Sequence, residues 1–177
     1  YGSGNAAMQT QTNGVTWSAS TLTGSYYTQI VYNGQLWLII NNPTNGVANV
    51  IYSYDLITFT TVDLTTLLGS VPYGPGLSCV SWNGSLWVAG SYSQHSLVYS
   101  YDGISWYVAN TSSTYNPAST NSCSDITYNG VYFIASMYTT NAGSANTNYL
   151  TVYSLDGINW NSVSSATSLF TLGIQTL

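Results

Sequence analysis

Two short motifs alternate along this chain, and their regular return constrains the fold more than any other feature of the sequence. The first motif has five residues, begins with Asn or Asp and ends on an aromatic residue, and its copies are 13–17, 55–59, 102–106 and 156–160. The second motif has six residues with Asn-Gly at its second and third positions, and its copies are 32–37, 82–87 and 128–133. Copies of one motif lie about 40–50 residues apart, which indicates a structural repeat.

Each motif predicts a β-hairpin. Asn-Gly between two β-rich runs is a strong hairpin signal, because both central residues of a tight type I′ turn need a positive φ. Asp-Gly predicts a second hairpin, in which the carboxylate accepts hydrogen bonds from N–H groups of its own turn. The residues assigned to these structural turns are Asn13, Asp55, Asp102, Asp156, Gly34, Gly84 and Gly130.

Two hairpins per repeat give four strands, and such units are typical of β-propeller blades. We therefore predict an all-β fold: a single β-propeller over residues 1–177, built from four-stranded antiparallel blades. The predicted blades are 1–20 (partial), 21–62, 63–109, 110–164 and 165–177 (partial). Since propellers close with about 4–8 blades, the chain is interpreted as an arc. Other protein chains, or further blades of a longer polypeptide, are expected to complete its exposed sheet edges.

Charged residues are nearly absent. The 177-residue chain has no Lys or Arg and five acidic residues, all of them Asp, and it is 3% charged, against about 25% in an average domain. Without cations the chain cannot neutralise phosphates or grip anionic lipids. No apolar run approaches the ~18–20 residues of a membrane-spanning helix. We therefore expect neither a nucleic-acid partner nor membrane insertion.

The segments 100–106 and 154–160 read Ser-x-Asp-Gly-x-x-Trp, and the preceding motif reads aromatic-Asn-Gly-x-Leu-Trp in two of its copies. This pattern resembles the Asp-box repeats of sialidase-type (BNR-like) propellers, most closely the non-catalytic repeats of bacterial surface, phage-fibre and giant-virus proteins. The familiar Asp-box has one more residue between Asp and Gly, Asn13 replaces Asp in the first copy, and Leu56 replaces Gly in the second. The resemblance implies that these turns lie on the outer side of the blades, away from the ligand face, and are structural.

No catalytic constellation is apparent. Sialidases hold the substrate carboxylate with arginines and use a Tyr nucleophile supported by Glu, and this chain lacks Arg and Glu. A glycosidase needs two carboxylates about 5–9 Å apart, but the two Asp without a turn role, Asp63 and Asp125, are assigned to different parts of their blades. His95 is interpreted as an exposed loop residue. We predict no enzyme activity, no metal site and no cofactor.

Cys79 and Cys123 are the only thiols. They are too few for a disulfide framework. We interpret them as two buried small apolar residues, with a single disulfide bond between them as the alternative.

Aromatic residues that recur in every repeat are assigned to the core, and those that break the repeat are candidates for ligand binding. Tyrosine stacks on sugar rings, and a neutral surface of Tyr, Asn and Ser also suits protein recognition. Incidental tyrosines in polar loops are the alternative interpretation. The candidate ligand-binding residues are Tyr73, Tyr92, Tyr115, Tyr138 and Tyr149.

These features favour a non-catalytic structural or adhesive module on a virion, appendage or cell surface. Its expected role is protein–protein assembly or attachment, at an extracellular or virion-surface location. A glycan-binding propeller that uses loop tyrosines is the alternative, and a glycoside hydrolase is less favoured.

Overall fold

The computed structural model describes residues 9–11, 17–19, 22, 27–41, 48–69, 76–92, 96–111, 120–140 and 147–163. In these residues the chain is all-β, with one short helix, and its strands form antiparallel four-stranded sheets, as predicted. Some residues singled out in the sequence lie outside the described residues: Asn13, Tyr73, His95, Tyr115 and the tail 165–177.

The strands group into one hairpin and three sheets in chain order. The hairpin consists of β1 (Gln9–Gln11) and β2 (Trp17–Ala19). The first sheet consists of β3 (Tyr27–Tyr32), β4 (Trp37–Asn41), β5 (Asn49–Ser53) and β6 (Thr60–Asp63). The second consists of β7 (Leu77–Trp82), β8 (Trp87–Ser91), β9 (Leu97–Ser100) and β10 (Trp106–Val108).

The third sheet consists of β12 (Thr120–Tyr128), β13 (Phe133–Thr140), β14 (Thr147–Ser154) and β15 (Asn159–Ser162). A short strand, β11 (Asn110–Thr111), pairs in parallel with β15 and makes this sheet five-stranded. The helix α1 (Thr65–Leu68) follows the first sheet and buries Leu68. All other neighbouring strands in the three sheets pair antiparallel.

In the middle one of the three sheets, the second strand carries the longest apolar run, because both of its faces are covered. All five residues of β8 are buried. Trp87 and Ala89 belong to the core that the second sheet shares with the first, whereas Val88 belongs to the core that it shares with the third. A strand buried on both faces needs no alternation of apolar and polar residues. The three sheets therefore pack against one another in chain order.

The Asn-Gly hairpins form where predicted, but their turns are not of the predicted type I′. Gly34 has a positive φ of 99°, but Asn33 does not, because Leu56 is the only non-glycine residue with a positive φ in the described part of the chain. Asn33 is instead the first residue of the turn, and its Oδ1 accepts the N–H groups of Gln35 (2.9 Å) and Leu36 (2.7 Å). The same arrangement recurs in the other two copies. The asparagine is thus required for its side-chain acceptor rather than for its φ.

Closure of the sheets into a propeller is not established by these residues. Among the described strands the sheets do not close into a ring and do not curl. The first long strands of successive sheets nevertheless lie next to each other, β3 beside β7 and β7 beside β12. The propeller itself remains a prediction.

Candidate functional site

The Asp-Gly turn between β14 and β15 is held by a serine and an aspartate that act together. The Ser154 hydroxyl donates to Asp156 Oδ1 (2.9 Å) and accepts the N–H of Gly157 (2.9 Å). Asp156 Oδ1 also accepts the N–H groups of Ile158 (2.9 Å) and Asn159 (2.7 Å), and Oδ2 accepts the Asn159 side-chain amide (2.7 Å). The carboxylate is thus occupied by its own turn.

The other two described copies repeat this geometry. Asp102 Oδ1 accepts the Ser100 hydroxyl (3.0 Å) and two backbone N–H groups (2.8 and 2.7 Å). Asp55 Oδ1 accepts the Ser53 hydroxyl (3.2 Å) and likewise two backbone N–H groups (2.8 and 2.7 Å). Three turns thus use the carboxylate in the same way, to hold the backbone of the turn.

The residue after each Asp adopts the left-handed conformation, with φ of 78° at Gly103, 74° at Gly157 and 58° at Leu56. Glycine adopts this conformation without strain, whereas a leucine pays roughly 1–2 kcal/mol. The tryptophan that ends the motif closes the turn, since the Trp106 and Trp160 indole N–H groups donate to the carbonyls of Gly103 and Gly157, both at 3.1 Å.

Leu56→Gly is expected to raise the free energy of unfolding by about 0.5 kcal/mol. Relief of left-handed strain is offset in part by the greater freedom of glycine in the unfolded chain. Urea unfolding of the variant checks this result. Ile57→Gly at the next, negative-φ position is the matched control and is expected to destabilise the chain by about 0.5–1 kcal/mol. A loss of stability in Leu56→Gly as large as in the control contradicts the assigned strain.

The turn hydrogen bonds also set the ionisation of these carboxyls. Partial burial raises the pKa of Asp156, but hydrogen bonds from the Asn159 backbone and side chain and from the Ile158 backbone outweigh it and lower this pKa to about 2. Backbone hydrogen bonds from Thr58 and Ile57 lower the pKa of Asp55. Each carboxylate is therefore ionised at neutral pH, although the chain has no Lys or Arg to pair with it.

Acid is expected to destabilise the fold through these turns. The pKa of Asp156 is about 2 in the folded chain and about 3.9 in an unfolded one. Its contribution is therefore fully present above about pH 5 and is lost as the pH falls from about 4 to 2. After a discount for solvent screening, this contribution is about 1 kcal/mol. Urea midpoints measured between pH 2 and 7 test this, and Asp156→Asn is expected to flatten the acid limb. An unchanged acid limb in the variant contradicts the assignment.

The two remaining aspartates do not form a catalytic pair. Asp63 ends β6 and accepts the N–H of Thr65 (2.8 Å) where α1 begins. Asp125 lies at a bulge in β12 and accepts the N–H of Ile126 (2.9 Å). These residues belong to the first and third sheets, and the second sheet packs between them. Within the part of the chain that the structure describes, no three His, Cys, Asp or Glu residues cluster as metal ligands do.

Three of the five candidate tyrosines come together. Tyr138 and Tyr149 are cross-strand partners on β13 and β14, with ring centroids 6.4 Å apart. Tyr92, which follows β8, lies 6.4 Å from Tyr138 on its other side. We refer to Tyr92, Tyr138 and Tyr149 as the tyrosine row. It spans the second and third sheets, so only their packing brings the three rings together.

The tyrosine row lies at the end of the sheets opposite to the turns. The Asn-Gly and Asp-Gly turns lie at the same end of each sheet. In the second sheet, β8 runs away from the Asn-Gly turn and the antiparallel β9 returns to the Asp-Gly turn. Tyr92 is half-buried, and burial, followed by the neighbouring Tyr138, raises its pKa. Its phenol is therefore neutral and retains a proton to donate. Tyr149 is exposed.

The sequence contains a signal for this row. The sequence analysis treats Tyr92 and Tyr138 as residues that break the repeat. In the structure they occupy equivalent positions, five residues after Trp87 and Phe133, the aromatic residues that begin β8 and β13. Alignment of these two repeats on the Asn-Gly turn would have placed both tyrosines at the same end of adjacent sheets.

Successive sheets interlock through the glycine of the Asp-Gly turn. A β-carbon placed on Gly103 would lie 2.6 Å from Cδ2 of Leu36 in the preceding sheet. A β-carbon placed on Gly157 would lie 2.7 Å from both Leu86 Cδ2 and Val88 Cγ2, again in the preceding sheet. Leu36 and Leu86 occupy the same repeat position. We call this contact of leucine on glycine the interlock.

Among the described residues, no further sheet covers the corresponding face of the third sheet. Tyr132 occupies the repeat position of Leu36 and Leu86, yet it is 37% exposed, whereas the two leucines are 3% and 4% exposed. Tyr153, on the adjacent strand, is also exposed, and its ring meets that of Tyr132 edge to face at 5.7 Å. We call Tyr132 and Tyr153 the open face. Neither Tyr132 nor Tyr153 is among the candidate binding residues named from the sequence.

A scan against protein-family models and a search of curated proteins both find no match to this chain. The Asp-box resemblance therefore rests on the motifs themselves and remains a prediction. Among the residues that the structure describes, no helix is long and apolar enough to cross a membrane.

Proposed function

We propose that this chain is a non-catalytic β-propeller module that mediates protein–protein assembly or attachment at an extracellular surface, such as that of a virion, an appendage or a cell. The interlock is the observation that carries this proposal. It joins the first sheet to the second and the second to the third through the same pair of repeat positions. Such a contact repeats for as many blades as are added.

The open face supports assembly in particular. Tyr132 stands at the same repeat position as Leu36 and Leu86, and each of these leucines is covered by the sheet that follows it. A further four-stranded sheet, from another chain or from a longer polypeptide, would pack on the open face through the same leucine–glycine type of contact that joins the first three sheets. Its turn glycine would rest on Tyr132, as Gly157 rests on Leu86. The uncharged surface also suits an exposed location, because its contacts depend little on salt.

Mutation of the open face tests this proposal. Sedimentation of the chain over a range of concentrations is expected to show self-association, and Tyr132→Asp is expected to weaken it at least tenfold, which corresponds to about 1.4 kcal/mol. Tyr101→Asp is the matched control, because Tyr101 is also a surface tyrosine, at 62% exposure, but lies on the turn whose Gly103 already rests on Leu36 within the chain. A monomer at every concentration, or equal weakening by both variants, would refute self-assembly of this chain through this face.

The tyrosine row supports glycan binding as a second candidate function. Tyrosine faces stack on the apolar faces of sugar rings, and neutral phenols exchange hydrogen bonds with hydroxyl groups. Because the chain has no cation, the expected ligands are neutral oligosaccharides rather than sialylated or sulfated ones. The row also lies at the end of the sheets that the turns leave free.

A glycan array with the folded chain tests this second candidate. Tyr149→Ala is expected to lower binding of a neutral oligosaccharide at least tenfold. Tyr107→Ala is the control, since Tyr107 is exposed but lies on β10, outside the row. A blank array with folded protein, or equal loss in both variants, counts against glycan binding by the row.

A further inference from the structure

The two cysteines meet between the second and third sheets. Cys79 lies on β7 and Cys123 on β12, and their Sγ atoms are 3.7 Å apart. Both thiols are free and buried, with exposures of 3% and 0%. Residues separated by 44 positions in the chain are thus neighbours only because the two sheets pack together.

Gly90 leaves the space that the two sulfur atoms occupy. It pairs with Cys79 across β7 and β8. A β-carbon placed on Gly90 would lie 2.6 Å from Cys79 Sγ and 2.5 Å from Cys123 Sγ, closer than atoms approach without displacement. Any other residue at position 90 would force the sulfurs to move. The two thiols are therefore confined to one small space above a glycine.

The backbones of the two strands are also held together at this level. The Ser78 hydroxyl donates a hydrogen bond of 2.6 Å to the carbonyl of Cys123. A disulfide bond has a length of about 2.05 Å, so the sulfur atoms need to approach by less than about 2 Å.

We propose that Cys79 and Cys123 are the site of a disulfide bond that links the second and third sheets, formed by exchange with a small-molecule disulfide such as glutathione disulfide. One cysteine thiolate attacks the glutathione disulfide, forms a mixed disulfide and releases one glutathione thiolate. The second cysteine thiolate then attacks the cysteine sulfur of the mixed disulfide and displaces the second glutathione. The two cysteines are oxidised and lose two protons, and the glutathione disulfide is reduced to two thiols.

The bond forms most readily while the chain folds. Burial, together with the neighbouring Cys79, raises the pKa of the Cys123 thiol well above its usual value. Thiolate, the reactive species, is therefore scarce once the sheets have packed. The cross-link belongs to an oxidising compartment. It closes a long loop and clamps together the two sheets that carry the tyrosine row.

Parallel preparations of the full chain test the proposal. The chain is produced in an oxidising, glutathione-buffered compartment and, separately, in a reducing one, and each sample is denatured and treated with N-ethylmaleimide. The oxidised sample is expected to take up no reagent and to weigh two hydrogens less than the untreated reduced chain, which takes up two reagent molecules. Chymotryptic peptides of the oxidised sample are expected to join Cys79 to Cys123. Its melting temperature is expected to rise by about 5–15 °C.

A double variant, Cys79→Ala with Cys123→Ala, is the control and is expected to melt at the same temperature from both compartments. Two free thiols in the oxidised sample, a glutathione adduct on one cysteine, or dimers linked between chains overturn the proposal. None of these outcomes bears on assembly through the open face, so the two proposals fail separately.

Discussion

Gly157→Ala is expected to lower the free energy of unfolding by about 3 kcal/mol. Two effects add. The left-handed φ of 74° at Gly157 strains any residue with a β-carbon, at roughly 1–2 kcal/mol. The new methyl group also collides with Leu86 and Val88 at 2.7 Å and with Phe133 at 3.1 Å, and such overpacking costs about 1–3 kcal/mol.

Gly84→Ala separates these two effects. Gly84 has a φ of 102°, and a β-carbon placed there meets no atom within 4 Å. Its replacement should therefore cost the backbone strain alone, about 1–2 kcal/mol. Urea unfolding of both variants measures the difference, which reports the interlock. Equal losses in the two variants would show that the contact of Leu86 on Gly157 does not hold the sheets together.

Asp156→Ala is expected to lower the free energy of unfolding by about 2–3 kcal/mol. It removes the acceptor of two backbone N–H groups and of the Ser154 hydroxyl, and hydrogen bonds to a charged group contribute about 1.5–3 kcal/mol. Asp156→Asn keeps one acceptor oxygen and should lose about 1 kcal/mol. The first copy of the motif already carries an asparagine, Asn13, at this position.

Asp63→Ala is the matched control for this series. Asp63 accepts the single N–H of Thr65 at the surface, so its loss should stay below about 1 kcal/mol. Denaturant unfolding at pH 7 ranks the three variants. If Asp156→Ala unfolds no more easily than Asp63→Ala, the carboxylate of the Asp-Gly turn is not structural, and its chemical role would have to be reconsidered.

The position of the uncovered surface follows from the repeat. Leu36 and Leu86 are buried because a sheet follows each of them, and Tyr132 is exposed at the same repeat position. In the proposed assembly, each added sheet would cover the open face of the sheet before it. Assembly and a tyrosine row at the opposite end from the turns are compatible, because they use different surfaces of the same sheets.

The sequence by itself determined the local structure. The two motifs predicted the turns at 32–37, 82–87 and 128–133 and at 55–59, 102–106 and 156–160, and each of these forms in the structure. Such a turn depends on a few adjacent residues whose hydrogen bonds and φ angles are local. Even here the turn type was wrong, because Asn33 contributes a side-chain acceptor where a positive φ was expected.

Only the tertiary structure decided which residues from different repeats meet. The tyrosine row, the interlock and the 3.7 Å approach of Cys79 and Cys123 each join residues from separate sheets. Their contacts depend on how two sheets stack. That geometry is set by the summed packing of many side chains at once, not by any short run of residues. The strands and turns can therefore be predicted from the sequence, whereas the candidate sites form only when the sheets pack against one another.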